Sequence, residues 1–132
     1  MSYTMDLPKE FSYLGLAFKY NSGSMALHYI NGLVRFDIGY NLYEQGYSAK
    51  IIISYGQMAY ERTKYYKTLE ECVLFFLTDL DRAKEKLTEN YSYRVERLKK
   101  DFDSMTNSID AITSSEGYNE AKQLEIIQDI LE

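Results

Sequence analysis

The sequence predicts an α+β fold, in which an N-terminal antiparallel β-meander of four to five strands precedes a long amphipathic helix (about 69–113) and a short C-terminal helix (118–131). Between residues 11 and 67, apolar and polar side chains alternate with period two, and turn-forming residues interrupt the pattern. At Thr68 the apolar spacing changes to that of a helix. A length of 132 residues suits one modest core, so we expect residues 1–132 to form a single domain.

The first strand is predicted in the alternating run that begins at Phe11. The segment Asn-Ser-Gly-Ser at 21–24 follows it and is typical of a turn. The apolar residues expected on one face of this strand are Leu14, Leu16, Phe18 and Tyr20.

The strongest local signal is Asn31-Gly32, because this dipeptide between two alternating runs predicts a two-residue type I′ hairpin. Pairing about this turn brings apolar residues together on one face of the sheet. The expected pairs are Leu27–Phe36, Tyr29–Val34 and Met25–Ile38 on that face, with His28–Arg35 and Ala26–Asp37 on the other.

Two further turns complete the predicted meander. The segment 43–46 is expected to form a four-residue loop closed by Leu42 and Tyr47, and Gly56-Gln57 a type II′ turn. The charges of the fifth strand (Glu61, Arg62 and Lys64) suit a sheet edge. The expected pairs are Tyr40–Ala49, Ile38–Ile51, Phe36–Ile53 and Val34–Tyr55 about the first turn, then Ile53–Tyr60 and Ile51–Arg62 about the second.

The helical half begins with a capping box, Thr68-Leu69-Glu70-Glu71, in which Thr68 is the N-cap and Glu71 is at position N3. No glycine or proline follows until Gly117, which favours one continuous helix. The alternative is a helical hairpin broken near Asn90, because the heptad spacing shifts by one residue between Leu87 and Val95.

A continuous helix of this length would be ~67 Å long, whereas a five-stranded sheet is only ~24 Å wide. The part that extends beyond the sheet would need another apolar surface. We therefore predict a homo-oligomer, a dimer with coiled-coil packing. The predicted interface consists of Val95, Leu98, Phe102, Met105, Ile109 and Ile112.

The composition narrows the expected partners and location. The net charge of −5 disfavours nucleic acid as a partner, because duplex binding depends on Lys and Arg at the phosphates. The N-terminal segment lacks the pattern of a signal peptide, and no apolar run approaches the length of a membrane span. We therefore expect a cytoplasmic protein that binds no membrane. The 14 tyrosines suit either sheet packing or a binding surface.

No residue pattern in the sequence predicts catalysis or a cofactor. His28, the only histidine, is expected on the surface opposite Arg35, and one histidine with a distant Cys72 does not predict a zinc site. Cys72 lies in the most apolar stretch, where burial would raise the pKa of its thiol. Neighbouring carboxylates such as Asp79 and Asp81 do not face each other on a helix. We therefore expect a protein that is not an enzyme and has no metal or cofactor.

Three hypotheses of function remain. The leading one is a non-enzymatic, oligomeric binding protein that acts through protein–protein contacts on the sheet face opposite the helix. A nucleotide-like small molecule in a Tyr-lined pocket is the alternative. A nucleic-acid-binding accessory protein is the third, because cations and tyrosines interleave in residues 60–67 and Arg94, Arg97, Lys99 and Lys100 cluster on the helix. The predicted partner-binding residues are His28, Arg35, Asp37, Lys50, Ile52, Glu61, Thr63 and Tyr65.

A short acidic chain rich in tyrosine and asparagine and without catalytic motifs resembles the accessory proteins of phages and mobile elements. This resemblance is one of composition and implies a binding role, for example as an inhibitor of a host defence system.

Overall fold

The computed structural model describes residues 7–41, 45–55, 58–92 and 99–131. Its sheet is an antiparallel meander in which each strand pairs with the next along the chain, followed by helices. The predicted α+β class is therefore confirmed, with six strands rather than four or five. The strands are β1 (Glu10–Tyr13), β2 (Leu16–Asn21), β3 (Ala26–Asn31), β4 (Val34–Asn41), β5 (Gly46–Tyr55) and β6 (Met58–Tyr66).

The additional strand arises because the run that begins at Phe11 turns back on itself. Tyr13 pairs with Leu16, and the two residues between them, Leu14 and Gly15, both have positive φ values of 52° and 83°. Positive φ at both central residues is the pattern of a type I′ hairpin turn. Leu14 lies in this turn but extends the even-numbered apolar series of Leu16, Phe18 and Tyr20, so the sequence pattern resembled one long strand.

The first predicted hairpin has a register that differs by two residues from the structure. Asn31 pairs with Val34, so Gly32 and Leu33 form the turn, and Leu27 lies opposite Ile38. Gly32 has a φ of 61°, as the first central position of a type II′ turn requires. A shift of two residues keeps every side chain on its predicted face. Met25 is the exception, because it lies in the preceding turn and is 69% exposed.

The second hairpin shows the same two-residue difference, and the third matches the prediction. Ile38 pairs with Ala49, and Asn41 and Gly46 form the last pair before a loop whose residues 42–44 lie outside the described residues. In the third hairpin the structure has the predicted pairs Ile53–Tyr60 and Ile51–Arg62, and the turn predicted at 56–57 lies outside the described residues.

Three helices follow the sheet: α1 (Leu69–Ser92), α2 (Lys99–Thr113) and α3 (Glu116–Leu131). The predicted capping box is present at the start of α1. The Glu71 amide donates to the Thr68 hydroxyl at 3.1 Å, and the Thr68 amide donates to the Glu71 carboxylate at 3.1 Å. Two amides that the first turn of a helix leaves without a partner are thereby satisfied.

The prediction of one continuous helix over 69–113 is wrong in this detail. The helices form the alternative helical hairpin, but α1 continues past the predicted break near Asn90 to Ser92. Lys84 Nζ lies 2.8 Å from Asp110 Oδ1, which joins α1 to α2. In a straight helix these residues would be about 39 Å apart at 1.5 Å per residue. The connection between α1 and α2, residues 93–98, lies outside the described residues.

The helices pack on one face of the sheet, and the core lies between the two layers. At its centre the rings of Phe36 (β4) and Phe76 (α1) stack with their centroids 4.5 Å apart, and Phe18 (β2) lies against Phe76. Other fully buried residues of this core include Leu27, Val34, Ile38, Ile51, Ile53, Val73, Leu77, Leu80 and Leu87.

Packing of α2 within the chain also removes the reason for the predicted oligomer interface. Met105 and Ile109 are fully buried and Ile112 is 2% exposed, all within the core of this one chain, and Phe102 packs against it. Val95 and Leu98 lie outside the described residues. The apolar stripe of α2 finds its partner in the sheet and α1, so it does not require a second copy.

One contact of α3 yields a stability prediction. A Cβ atom at Gly117 would lie 1.9 Å from the carbonyl oxygen of Leu14, in the β1–β2 turn. Gly117→Ala should therefore destabilise the chain by about 2 kcal/mol in urea unfolding, because a backbone group must move. In most helices the same change stabilises by about 1 kcal/mol. Asn119→Ala, at an exposed position of α3, should change stability by less than about 0.5 kcal/mol. A Gly117→Ala chain more stable than wild type would show that α3 does not rest on this turn.

Candidate functional site

The face of the sheet opposite the helices is the candidate functional site, and we call it the open face. Side chains that point towards the helices are buried along the central strands, whereas those between them are partly or fully exposed. The strand registers bring all eight predicted partner-binding residues to the open face. One row contains Arg35, Ile52 and Glu61, the next contains His28, Asp37, Lys50 and Thr63, and Tyr65 lies opposite Ser48 in a third.

Two apolar side chains of the open face are highly accessible. Ile30 is 67% exposed and Tyr65 is 55% exposed. Ile30 pairs with Arg35, which in turn pairs with the half-buried Ile52. Ile30 was not among the predicted residues, although its position two residues after His28 on β3 is a signal that it shares the face.

The charged residues of the open face are largely paired with one another. Lys50 Nζ lies 3.0 Å from Glu61 Oε2, and Arg35 donates to Asp37 through Nε and through a second nitrogen at 2.9 Å. The hydrogen bond to Asp37 raises the pKa of Arg35. The Lys50–Glu61 pair is exposed, and such a pair contributes at most about 1 kcal/mol, so these two side chains can exchange it for other contacts.

A serine, a histidine and an aspartate form a connected group at one end of the open face. Ser24 Oγ lies 2.5 Å from Nε2 of His28, and Nδ1 of His28 contacts Oδ1 of Asp37. The side chains of His28 and Asp37 are 17% and 14% exposed. A carboxylate accepts hydrogen bonds only, so a neutral His28 carries its proton on Nδ1 and accepts from Ser24 through Nε2.

The β2–β3 turn positions Ser24 in this group. The Asn21 side chain accepts from the amides of Gly23 at 2.8 Å and Ser24 at 3.3 Å, and the Met25 amide donates to the Asn21 carbonyl at 2.8 Å. Met25 has a φ of 57°, which returns the chain into β3. An asparagine side chain that bonds to the amides after it is a common way to fix a turn.

Sequence reasoning missed this group for two reasons. The predicted register put Arg35 opposite His28, whereas the structure pairs His28 with Asp37. Ser24 belongs to a turn, and no short motif joins it to Asp37. A turn at Gly32-Leu33 instead of Asn31-Gly32 pairs His28 with Asp37. Considering that alternative turn would have predicted the histidine–aspartate contact.

On the helix side of β6, a buried carboxylate joins the sheet to α1. Asp79, whose side chain is 5% exposed, accepts from the Tyr60 hydroxyl at 2.6 Å and from Arg62 at 2.5 Å. Burial, supported by the hydrogen bond to Asp79, raises the pKa of Tyr60 to about 12. Arg62 also lies over the ring of Phe75, at 5.8 Å.

The residues predicted for nucleic acid do not form one surface. Tyr60 and Arg62 point towards α1, whereas Tyr65 is on the open face. On α2, Lys99 pairs with Asp103 at 3.0 Å. Arg94 and Arg97 lie outside the described residues, as does the side chain of Lys100.

The structure also defines the environment of the single cysteine. Cys72 is fully buried on α1, and burial raises the pKa of its thiol to about 12, as predicted, so it is a poor nucleophile at neutral pH. A surface depression between α1 and α3 is lined in part by a tyrosine, Tyr66, as the predicted Tyr-lined pocket requires.

Within ranges 7–41, 45–55, 58–92 and 99–131, no group of three potential metal-binding side chains converges. No helix among these residues has the length and apolar character needed to cross a membrane. Comparison of the chain with models of known protein families, with curated proteins and with solved structures finds no match. The fold itself defines the class of the protein, which is a six-stranded antiparallel meander with helices on one face.

Proposed function

We propose that this chain is a non-enzymatic binding protein that acts by docking the open face of its sheet on another protein. The observation that carries the proposal is the exposure of Ile30 and Tyr65 on a face that also presents Arg35, Lys50 and Glu61. Aromatic residues and arginine are enriched in protein interfaces, and other charged residues lie mainly at the rim.

The charge pattern suggests the kind of partner. Arg35 and Lys50 alternate with Asp37 and Glu61 over neighbouring strands, so neither sign dominates. A partner with mixed charges and separate apolar contacts would match this pattern, and the charges would set orientation more than affinity. The compositional resemblance to phage and mobile-element accessory proteins leads us to propose a host protein, such as a component of a defence system, as this partner.

Site-specific photo-crosslinking tests the proposal. A photoreactive residue at position 30 should give one discrete cross-linked product in lysate of the source cells. The same residue at Ile126, which is 56% exposed on α3, should give none. Excess unmodified chain should compete the product away. The double variant Ile30→Asp with Tyr65→Asp should compete roughly 30-fold less well, as loss of about 2 kcal/mol of binding energy implies.

The matched control is Ile126→Asp, which should compete as well as the wild-type chain. Equal cross-linking from positions 30 and 126, or full competition by the double variant, would contradict docking through the open face. The identity of the cross-linked protein then tests the proposal of a host target separately.

Self-association is a separate proposal. The interface first expected for it is largely buried within the chain, so a dimer would have to use another surface. If a second copy is the partner, it would dock on the open face, and the cross-linked product of the purified chain would have twice the mass of one chain. A clean monomer of 15.5 kDa in native mass spectrometry at high concentration would contradict self-association.

A further inference from the structure

The connected Ser24–His28–Asp37 group has the hydrogen-bond order that activates a serine hydroxyl. Asp37 holds the His28 ring through Nδ1, and the lone pair of Nε2 faces the Ser24 hydroxyl at 2.5 Å. In serine hydrolases the same order makes the histidine a general base for the serine. Such an arrangement is recognised by geometry and not by the order of residues in the chain, which here is Ser, His, Asp.

We propose that Ser24 is a nucleophile, activated by His28 and Asp37, that accepts the acyl group of small activated esters. This proposal goes beyond the proposed binding function and does not depend on it, because acylation is measured on the isolated chain.

A surface depression of about 270 Å³ supplies the space for the ester, and Ser24 and His28 form part of its wall. The depression is also lined by Ile30, which offers an apolar contact for an acyl chain or aromatic leaving group, and by Arg35 and Asn21. Arg35 remains 47% exposed although it bonds to Asp37, so its free N–H groups can approach a carbonyl oxygen. The volume suits a small ester, since drug-sized ligands occupy about 300–1,000 Å³.

The proposed step balances without an external oxidant or metal. Ser24 Oγ forms a bond to the carbonyl carbon of the ester while its proton passes to Nε2 of His28. The bond from that carbon to the leaving oxygen then breaks, and the leaving alcohol or phenolate departs, with the proton of His28 available to it. Water can later attack the acyl-serine by the same route and release the free acid.

The same geometry sets a limit on the rate. The amides of Gly23 and Ser24 donate to the Asn21 side chain, so these two are not free to stabilise the oxyanion of the intermediate. Loss of one such donor costs about 100-fold to 1,000-fold in kcat in a serine protease. We therefore expect one rapid acylation by an activated ester and slow release of the acid, which is compatible with a protein that is not a turnover enzyme.

The test is acylation of the full purified chain by p-nitrophenyl acetate. Release of p-nitrophenolate should show a burst of one equivalent, intact mass should rise by one acetyl group, and peptide mapping should locate it on Ser24. Ser24→Ala should abolish the burst, and His28→Gln should slow it by roughly 100-fold or more. Ser22→Ala, in the same turn, should behave as the wild-type chain.

The pH profile distinguishes activation from simple exposure of Ser24. The acylation rate should rise with pH and then level off in the wild-type chain, and this inflection should be absent in His28→Gln. The charged groups around His28 are Lys19 and Asp37 on the adjacent strands, with Arg35 and Lys50 beside Asp37.

Three results would overturn the proposal. The first is an acetyl group at Ser24 that forms at the wild-type rate in His28→Gln. The second is acetylation spread over lysines with Ser24 unmodified. The third, which holds even if His28→Gln fails to fold, is a wild-type acylation rate that shows no inflection with pH.

Discussion

Replacing Asp79 with alanine should lower the free energy of unfolding by about 3 kcal/mol. The change leaves the Tyr60 hydroxyl and the Arg62 guanidinium without their shared acceptor under α1. Breaking a buried ion pair from one side costs about 3–5 kcal/mol. We expect the lower end because the Arg62 side chain is 31% exposed and can recover some hydration. Urea unfolding followed by circular dichroism measures the effect.

The matched control is Asp110→Ala, which removes the carboxylate of an exposed ion pair on α2. Lys84 and Asp110 are 48% and 53% exposed, so the loss should be below about 1 kcal/mol. Equal losses for the two variants would contradict a structural role for the Asp79 contacts. The pH dependence offers a second test. Since the pKa of Tyr60 is raised to about 12, its stabilising contribution is complete below pH 10 and is lost between about pH 10 and 12.

Replacing Phe76 with alanine should lower the free energy of unfolding by about 4 kcal/mol, in the range of 3–5 kcal/mol for buried phenylalanines. Phe76 is fully buried, stacks on Phe36 at 4.5 Å and touches Phe18 at 5.9 Å between ring centroids. Its loss leaves a cavity at the point where β2, β4 and α1 meet. Thermal and urea unfolding of the variant provide the measurement.

Two comparisons make this prediction specific to the cavity. Phe76→Leu keeps most of the volume and should cost about 1.5 kcal/mol. An apolar cavity of this kind can bind benzene, so benzene should stabilise Phe76→Ala and leave the wild-type chain unchanged. A loss of less than about 1.5 kcal/mol in Phe76→Ala would mean that Phe76 is not at the centre of the core.

The prediction of the sheet succeeded for the faces and for the register of the third hairpin, and it failed for the registers of the first two hairpins. Leu27 and Phe36 were assigned to the buried face and are there, but they are not opposite each other. The period of two fixes which side chains share a face, whereas the register depends on which residues adopt positive φ in the turn. Asn31-Gly32 and Gly32-Leu33 are both reasonable turns locally, and the chosen turn is the one in which Ser108 of α2 accepts from the Leu33 amide at 3.0 Å.

The candidate site was predicted only in part, because alternation predicts the face of each residue but not the register between strands. Membership of the open face follows from alternation, so the positions of Arg35, Lys50 and Glu61 on it could be predicted. The contact between His28 and Asp37 required the register, and that with Ser24 required the path of the β2–β3 turn. The docking role of this face stays a prediction that the cross-linking experiment tests.

Short-range periodicity and local hydrogen bonds were sufficient to predict the meander, its two faces, the capping box at Thr68 and the burial of Cys72. The packing of α2 beside α1, which buries Met105 and Ile109 within this chain, depends on long-range contacts that the local sequence pattern does not specify. The apolar stripe of α2 shows that this face of the helix must be buried, but it does not show which surface buries it. In this chain the stripe of α2 is covered by the sheet and α1. Because all three helices pack on the same side of the sheet, its opposite face remains accessible to solvent.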